Sequence, residues 1–241
     1  MEFRLLAFNL CANEPDFTSW LHRAESLRGA LAPAIAEPVL ELAARRAAQE
    51  GHLPDNPPLD QIDALVEFAR ARGFGFVSLA LPVDLEKTGE ALGFEISAVN
   101  GWTDIAAYMN IAWIRVGLTT PCDLAQPVTR DALRQILDYM RESELNVALS
   151  APDAMIPALE TFLKPYQSES GSAMGWDIPW PPETPELAHP AGGGSVPVVA
   201  LHLPLFAATS HETIHQSLSE IATRFGEKPP AVVFVEKPPA R

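Results

Sequence analysis

The stretch NIAWIRVGLTTPCDLAQPVTRDALRQILDYMRESELNVALS at residues 110–150 decides the fold. Its beginning, residues 110–118, and its end, residues 146–150, are short apolar runs with β-branched side chains, which predict two strands. Between them Thr129 predicts a helix N-cap. The apolar positions that follow it recur at helical spacing: Leu133, Ile136, Leu137 and Met140. A strand, a helix and a second strand in this order predict an α/β or α+β fold.

Similar patterns extend in both directions from this unit. Further strands are predicted at residues 3–10, 76–81, 94–99, 196–203 and 231–237. After the first strand the pattern is helical from about Asp16 to Gly51, where Pro33 and Pro38 divide it into two or three helices. Together these patterns predict a single domain over 1–241. It contains a mixed sheet of about six strands, with helices packed on it and a helical N-terminal segment.

A long segment near the C-terminus has a different composition. Residues 167–195, QSESGSAMGWDIPWPPETPELAHPAGGGS, are dense in Pro, Gly and Ser and have no apolar period, which predicts a long surface loop. Trp176, Asp177 and Trp180 lie in this loop, and Trp102 lies in another predicted loop. Tryptophans beside prolines are typical anchors of binding surfaces. These four residues are the candidate partner-binding residues, unless the rings fold back to cover the core.

The charge and the cysteine content limit the classes of function. The chain has 17 Lys and Arg against 31 Asp and Glu, a net charge of -14, which disfavours nucleic acid as a ligand. Cys11 and Cys122 form no CxxC pair, which fits a reducing cytoplasm. No apolar stretch approaches the ~20 residues that a membrane span needs. The sequence therefore predicts a cytoplasmic protein that binds neither nucleic acid nor membrane.

The acidic charge and the aromatic loop favour a protein that binds without catalysis. An acidic surface with tryptophan anchors suits a basic protein partner. The concrete form of this prediction is an immunity protein or antitoxin that masks a toxin and needs no cofactor. This is the favoured function from the sequence.

One motif indicates a different class of function. His211-Glu212-Thr213-Ile214-His215 spells H-E-x-x-H and resembles the zincin metallopeptidase motif. The resemblance implies that His211 and His215 bind zinc and that Glu212 is the general base for a zinc-bound water. A third ligand would come from Glu236, Glu227 or His202. The alternative function is therefore a zinc-dependent hydrolase.

The same residues also have an explanation that needs no metal. Thr209 stands three positions before Glu212, the spacing of a capping box at a helix start. Reciprocal hydrogen bonds between these two residues stabilise a helix by roughly 1 kcal/mol. The sequence favours this capped helix with two incidental histidines over the metal site.

Overall fold

The computed structural model describes nine strands. The described residues are 6–9, 38–46, 52–167, 172–179, 198–204 and 232–236, together with scattered helical residues within 18–28 and 216–223. The strands are β1 Leu6–Asn9, β2 Pro38–Arg45, β3 Leu53–Pro54, β4 Phe76–Val83, β5 Trp113–Leu118, β6 Asn146–Ser150, β7 Met174–Pro179, β8 Val198–Pro204 and β9 Val232–Glu236.

Four helices with defined ends alternate with the middle strands. They are α1 Leu59–Arg70, α2 Gly89–Tyr108, α3 Pro127–Glu142 and α4 Ile156–Leu163. Short 3-10 turns at Asp153–Met155 and Lys164–Gln167 flank α4. Within the described part of the chain, no helix has the length and apolar character needed to cross a membrane.

The strands form a closed barrel. Each strand pairs in parallel with its neighbour in the order β1-β9-β8-β7-β6-β5-β4-β2, and β1 also pairs with β2, which closes a ring of eight strands. The short β3 pairs in parallel with the C-terminal part of β2. Eight parallel strands with helices between them are the architecture of a TIM barrel. The predicted α/β class is confirmed, and the sheet is larger than predicted and parallel in every pairing described.

Side chains alternate between the inside of the barrel and the helices outside it. In β6, Val147 and Leu149 belong to the hydrophobic core under the helices, whereas Ala148 between them does not. Helix α3 covers this core with the apolar positions predicted from the sequence, all of them buried. The helix begins at Pro127 with Gln126 as its N-cap, so Thr129 lies in the first turn and is not the cap.

Two predicted elements near β2 and α2 are wrong. The helix expected after Pro38 is the strand β2, because a strand covered on both faces has a continuous apolar run that also fits helical spacing. The strand expected at 94–99 lies inside α2, where β-branched residues occur within a helix of 20 residues. Trp102 consequently lies in this helix and not in a loop.

The predicted surface loop at 167–195 contains a strand of the barrel. Residues 174–179 form β7, which pairs with β6 and β8. Gly175 and the prolines hid this strand, because glycine and proline are usually rare inside strands. The remainder of the predicted loop lies largely outside the described residues, and one domain over 1–241 stays a prediction.

Candidate functional site

The inside of the barrel is charged. Three charged residues face the inside: Glu41 of β2, Arg115 of β5 and Asp177 of β7. At least one sequence neighbour of each belongs to the outer hydrophobic core. Because successive side chains of a strand point to opposite faces, the charged side chains point inward. TIM barrels are usually filled by branched apolar side chains, and buried charged groups are informative exceptions. This inner cluster is therefore the candidate functional site.

Arg115 makes a two-point contact with Glu41. Its Nη2 lies 2.8 Å from Glu41 Oε1, and its Nε donates to Glu41 Oε2 at 3.0 Å. Ser78 of β4 donates its hydroxyl to the same Oε2 at 3.1 Å. Glu41 is fully buried. This two-point geometry fixes the plane of the guanidinium as well as its position.

Asp177 lies on the other side of the guanidinium. Arg115 Nη1 is 3.7 Å from Asp177 Oδ2, and the Asp177 side chain is only 2% exposed. Arg115 is the most exposed of the three charged side chains, at 14%. The guanidinium is therefore held between two buried carboxylates, with part of its surface open to a ligand.

Small residues lie beside Arg115 on the neighbouring strands. In the register, Ala80 and Ala148 pair with Arg115 on either side, and Ala43 pairs with Ala80. One step towards the carboxyl ends of the strands, Gly117 pairs with Ser150; a Cβ on Gly117 would lie 3.5 Å from the Ser150 hydroxyl. Side chains this small leave room above the guanidinium, at the end of the barrel where TIM-barrel enzymes bind substrates.

His52 is fixed as a neutral imidazole beside β2. The Ala43 backbone N–H donates to His52 Nδ1 at 3.0 Å, and the His52 backbone N–H donates to the Ala43 carbonyl at 2.8 Å. An Nδ1 that accepts a hydrogen bond places the ring proton on Nε2. Burial lowers the pKa of His52 from 6.5 to about 3. The ring is therefore uncharged throughout the physiological range.

We expect His52 to destabilise the protein in acid. Between about pH 6.5 and 3 the unfolded chain binds a proton on this ring and the folded chain does not, so stability falls as the pH falls. The slope for one proton is at most about 1.4 kcal/mol per pH unit. Urea denaturation from pH 7 to 4 measures it, with His52→Gln as the comparison, because the glutamine carbonyl retains an acceptor for the Ala43 N–H. Equal slopes in the two proteins would contradict this prediction.

A second, partly buried ion network lies outside the barrel, between β2 and α2. Arg46, directly after β2, contacts Asp55 through Nε at 2.7 Å and Glu95 of α2 through Nη2 at 3.0 Å. Lys87 contacts the same Glu95 at 2.6 Å, and the Trp102 indole N–H donates to Asp55 at 2.7 Å. These contacts join α2 to the carboxyl end of β2, so Trp102 has a structural role.

The residues predicted as partner anchors are mostly separated from one another. Trp102 is 1% exposed in α2, and Trp176 is 3% exposed in β7, where it faces the outer core. Asp177 lies in the inner cluster, and Trp180 lies outside the described residues. Both described indoles are core residues; partner binding by these residues, and the basic partner itself, stay predictions.

The predicted zinc motif cannot be placed. His211, Glu212 and His215 lie outside the described residues. Among the side chains that the structure describes, no group of three or more His, Cys, Asp or Glu is arranged to hold a metal ion. His202 lies in β8 and Glu236 at the end of β9, the two strands that follow β7 in the ring.

Sequence reasoning missed Glu41, Ser78 and Arg115. The available signal was a charged residue inside an otherwise apolar strand, Glu41 in PVLELAAR and Arg115 in WIRVGL. Such a residue must find a partner inside the protein. The identity of that partner depends on the closure of the barrel.

Comparisons with known proteins point to one fold. No protein-family model and no curated protein matches the sequence. A xylose isomerase domain protein from Planctomyces limnophilus aligns with 11% identity and a TM-score of 0.64 over 99% of this chain and 90% of its own. A D-psicose 3-epimerase from Clostridium cellulolyticum, solved with D-tagatose, aligns with 12% identity and a TM-score of 0.60 over 97% and 84%.

A third structure contains a metal ion. A xylose isomerase-like TIM barrel protein from Mycobacterium smegmatis in complex with magnesium aligns with 12% identity and a TM-score of 0.55, over 96% of this chain and 89% of its own. At identities this low, the structural alignments show only that the fold is shared.

These comparisons correct the function favoured by the sequence. The prediction of a non-enzymatic immunity or antitoxin-type protein is wrong, because the chain shares its fold over nearly its whole length with isomerase and epimerase barrels. The composition misled because a net charge of -14 is common among proteins of many functions.

Proposed function

We propose that this protein is an isomerase or epimerase that acts on a polyhydroxylated carbonyl compound of the sugar class. The observation that carries this proposal is the position of Arg115, held between two buried carboxylates with an alanine beside it on each neighbouring strand. Isomerase and epimerase barrels of the same fold support it. The reaction takes place at the carboxyl ends of the strands.

Arg115 has the chemistry that such a reaction needs. When a sugar isomerises, a hydrogen moves between neighbouring carbons and negative charge builds up on the carbonyl oxygen. A guanidinium already fixed by Glu41 donates to that oxygen without having to reorganise. The barrel wall excludes most water around it, which strengthens the interaction. In this proposal Glu41 positions Arg115 and does not itself touch the substrate.

Three residues of types that bind divalent cations lie on the neighbouring strands β7, β8 and β9. Asp177 pairs with Ala200, two residues before His202 in β8, and Glu236 of β9 pairs with Pro204, two residues after it. The register therefore places all three positions on the same face of the sheet. Two carboxylates and an imidazole are a ligand set that suits zinc, manganese and similar ions. We propose Asp177, His202 and Glu236 as its ligands. When bound, the cation supplies a Lewis acid for substrate oxygens.

The remaining sequence properties are consistent with an enzyme of the cytoplasm. We propose that compartment because the chain has only two cysteines, Cys11 and Cys122, and their wide separation in the sequence is not the pattern of a disulfide framework.

A substrate screen tests the proposed reaction. The full chain is depleted of metal, reloaded with magnesium, manganese or zinc, and incubated with ketoses, aldoses and their phosphates, with NMR to follow product formation. We expect interconversion of at least one pair, and a loss of at least about 100-fold in Arg115→Gln. Arg70→Gln, the same charge change at the exposed end of α1, is the control. No interconversion of any compound with any of the metals would overturn the proposal.

A further inference from the structure

A cavity lies on the outer surface of the barrel. It has a volume of about 720 Å³ and lies between α3 and α4, lined by residues of both helices and of the segments that flank them. Its walls contain none of the inner-cluster residues. Ligand sites for small molecules usually have about 300–1,000 Å³, so this cavity has the size of a binding site.

The cavity is cationic although the protein is acidic. Arg130, Arg134 and Arg141 of α3 line it, and their spacing of four and seven residues places them on one face of the helix. The lining contains a single carboxylate, Asp138. That carboxylate is already engaged, because the Tyr166 hydroxyl donates to it at 3.0 Å and Arg141 lies 3.4 Å from it.

Arg130 has a donor that no described residue satisfies. Its Nε makes no hydrogen bond within the described part of the chain; Asp131 Oδ1, at 4.0 Å, is close enough for a weak ion pair and too distant for a hydrogen bond. Arg134 lies 3.0 Å from that same Asp131 oxygen. Because 43% of the Arg130 side chain is exposed, its guanidinium is free to turn towards an anionic ligand in the cavity, which would supply the acceptor that Nε lacks.

The opposite side of the cavity is apolar and aromatic. Phe162 and Tyr166 have ring centroids 6.0 Å apart at an interplanar angle of 33°, and Arg141 lies over the Tyr166 ring at 5.5 Å. Leu124, Ala158 and Pro165 complete this wall. A ligand that contacts both sides therefore has an anionic group and a flat apolar body.

We propose that this cavity binds a small organic anion, a carboxylate or phosphate attached to a flat apolar group. The anionic group lies against Arg130 and Arg134, and the apolar body lies against Phe162 and Tyr166. Guanidinium groups bind carboxylate and phosphate oxygens through paired hydrogen bonds, so the cavity accepts either anion.

Calorimetric titration with four probes tests this proposal. The probes are 1-naphthoate, 1-naphthyl phosphate, the neutral 1-naphthalenemethanol and inorganic phosphate. We expect saturable binding of the naphthyl anions, at least about tenfold tighter than that of the neutral alcohol or inorganic phosphate. The tighter of the two anions identifies the preferred head group. Arg130→Gln should weaken anion binding about tenfold or more, whereas Arg70→Gln, which removes the same charge from α1, should leave it unchanged.

Three results would overturn the proposal. The first is naphthyl anion binding no tighter than binding of the alcohol. The second is anion binding that is unchanged in both Arg130→Gln and Arg134→Gln, with circular dichroism confirming that the variants are folded. The third is binding of polyglutamate without binding of either naphthyl anion, which would identify the cavity as a contact site for an acidic protein.

Discussion

Replacement of Arg115 by methionine is expected to lower the free energy of unfolding by about 3–5 kcal/mol, because it leaves a buried charge without its partner. Glu41 is fully buried, and Arg115 donates to both of its carboxylate oxygens. Methionine keeps much of the side-chain volume and removes the charge and the donors. Urea denaturation at pH 7, with linear extrapolation to water, measures the change.

Two further variants separate the loss of the partner from a general packing defect. The double variant Glu41→Leu with Arg115→Met removes this ion pair and should recover part of the lost stability, because a buried ion pair is often replaceable by apolar residues while Asp177 still lacks its cation. Arg134→Met breaks an exposed pair with Asp131 and should cost less than about 1 kcal/mol. A loss below 1 kcal/mol in Arg115→Met, or a double variant no more stable than the single one, would contradict the prediction.

The hydrophobic patterns of the sequence predicted correctly those elements whose residues fit only one type of secondary structure. The unit from β5 to β6 was predicted correctly, because its helix has a polar face and its strands are short apolar runs. In β2 the apolar run fits a buried strand and a helix equally well, and tertiary contacts decide between them. Helix α2 was missed at 94–99 for a related reason, since β-branched residues favour strands only weakly.

Closure of the barrel could not be predicted from these patterns. It depends on the pairing of β1 with β2 and with β9, and β1 and β9 are separated by more than two hundred residues of sequence. A periodic pattern reports which face of a strand is buried and does not report its neighbour. The expectation of a mixed sheet of about six strands follows from this limit.

The same limit explains how the inner cluster was missed. Glu41 and Arg115 lie 74 positions apart on strands that β4 separates, so only the barrel brings them together. Asp177 was selected from the sequence, but as part of a loop surface. It lies in β7, whose glycine and proline are typical of loops. Its position beside Arg115 gives it the role proposed in catalysis.

Replacement of Asp177 by asparagine is expected to lower kcat/KM for the isomerised sugar by at least about 100-fold. The change keeps the shape of the side chain and removes the charge that faces Arg115 Nη1 at 3.7 Å. It also removes a carboxylate from the proposed cation ligands. We therefore expect the bound metal, measured by elemental analysis, to fall together with activity.

Asp63→Asn is the matched control for this substitution, because it makes the same chemical change at an exposed residue of α1, where Asp63 accepts a hydrogen bond from Tyr108. Activity and metal content should both stay at the level of the unsubstituted protein. Retention of metal in Asp177→Asn with loss of activity would assign Asp177 to the electrostatics of Arg115 and exclude it as a ligand. Activity within tenfold of the unsubstituted protein, in a folded variant, would remove Asp177 from the reaction altogether. Together, the two readouts distinguish a carboxylate that holds a cation from one that only neutralises the guanidinium.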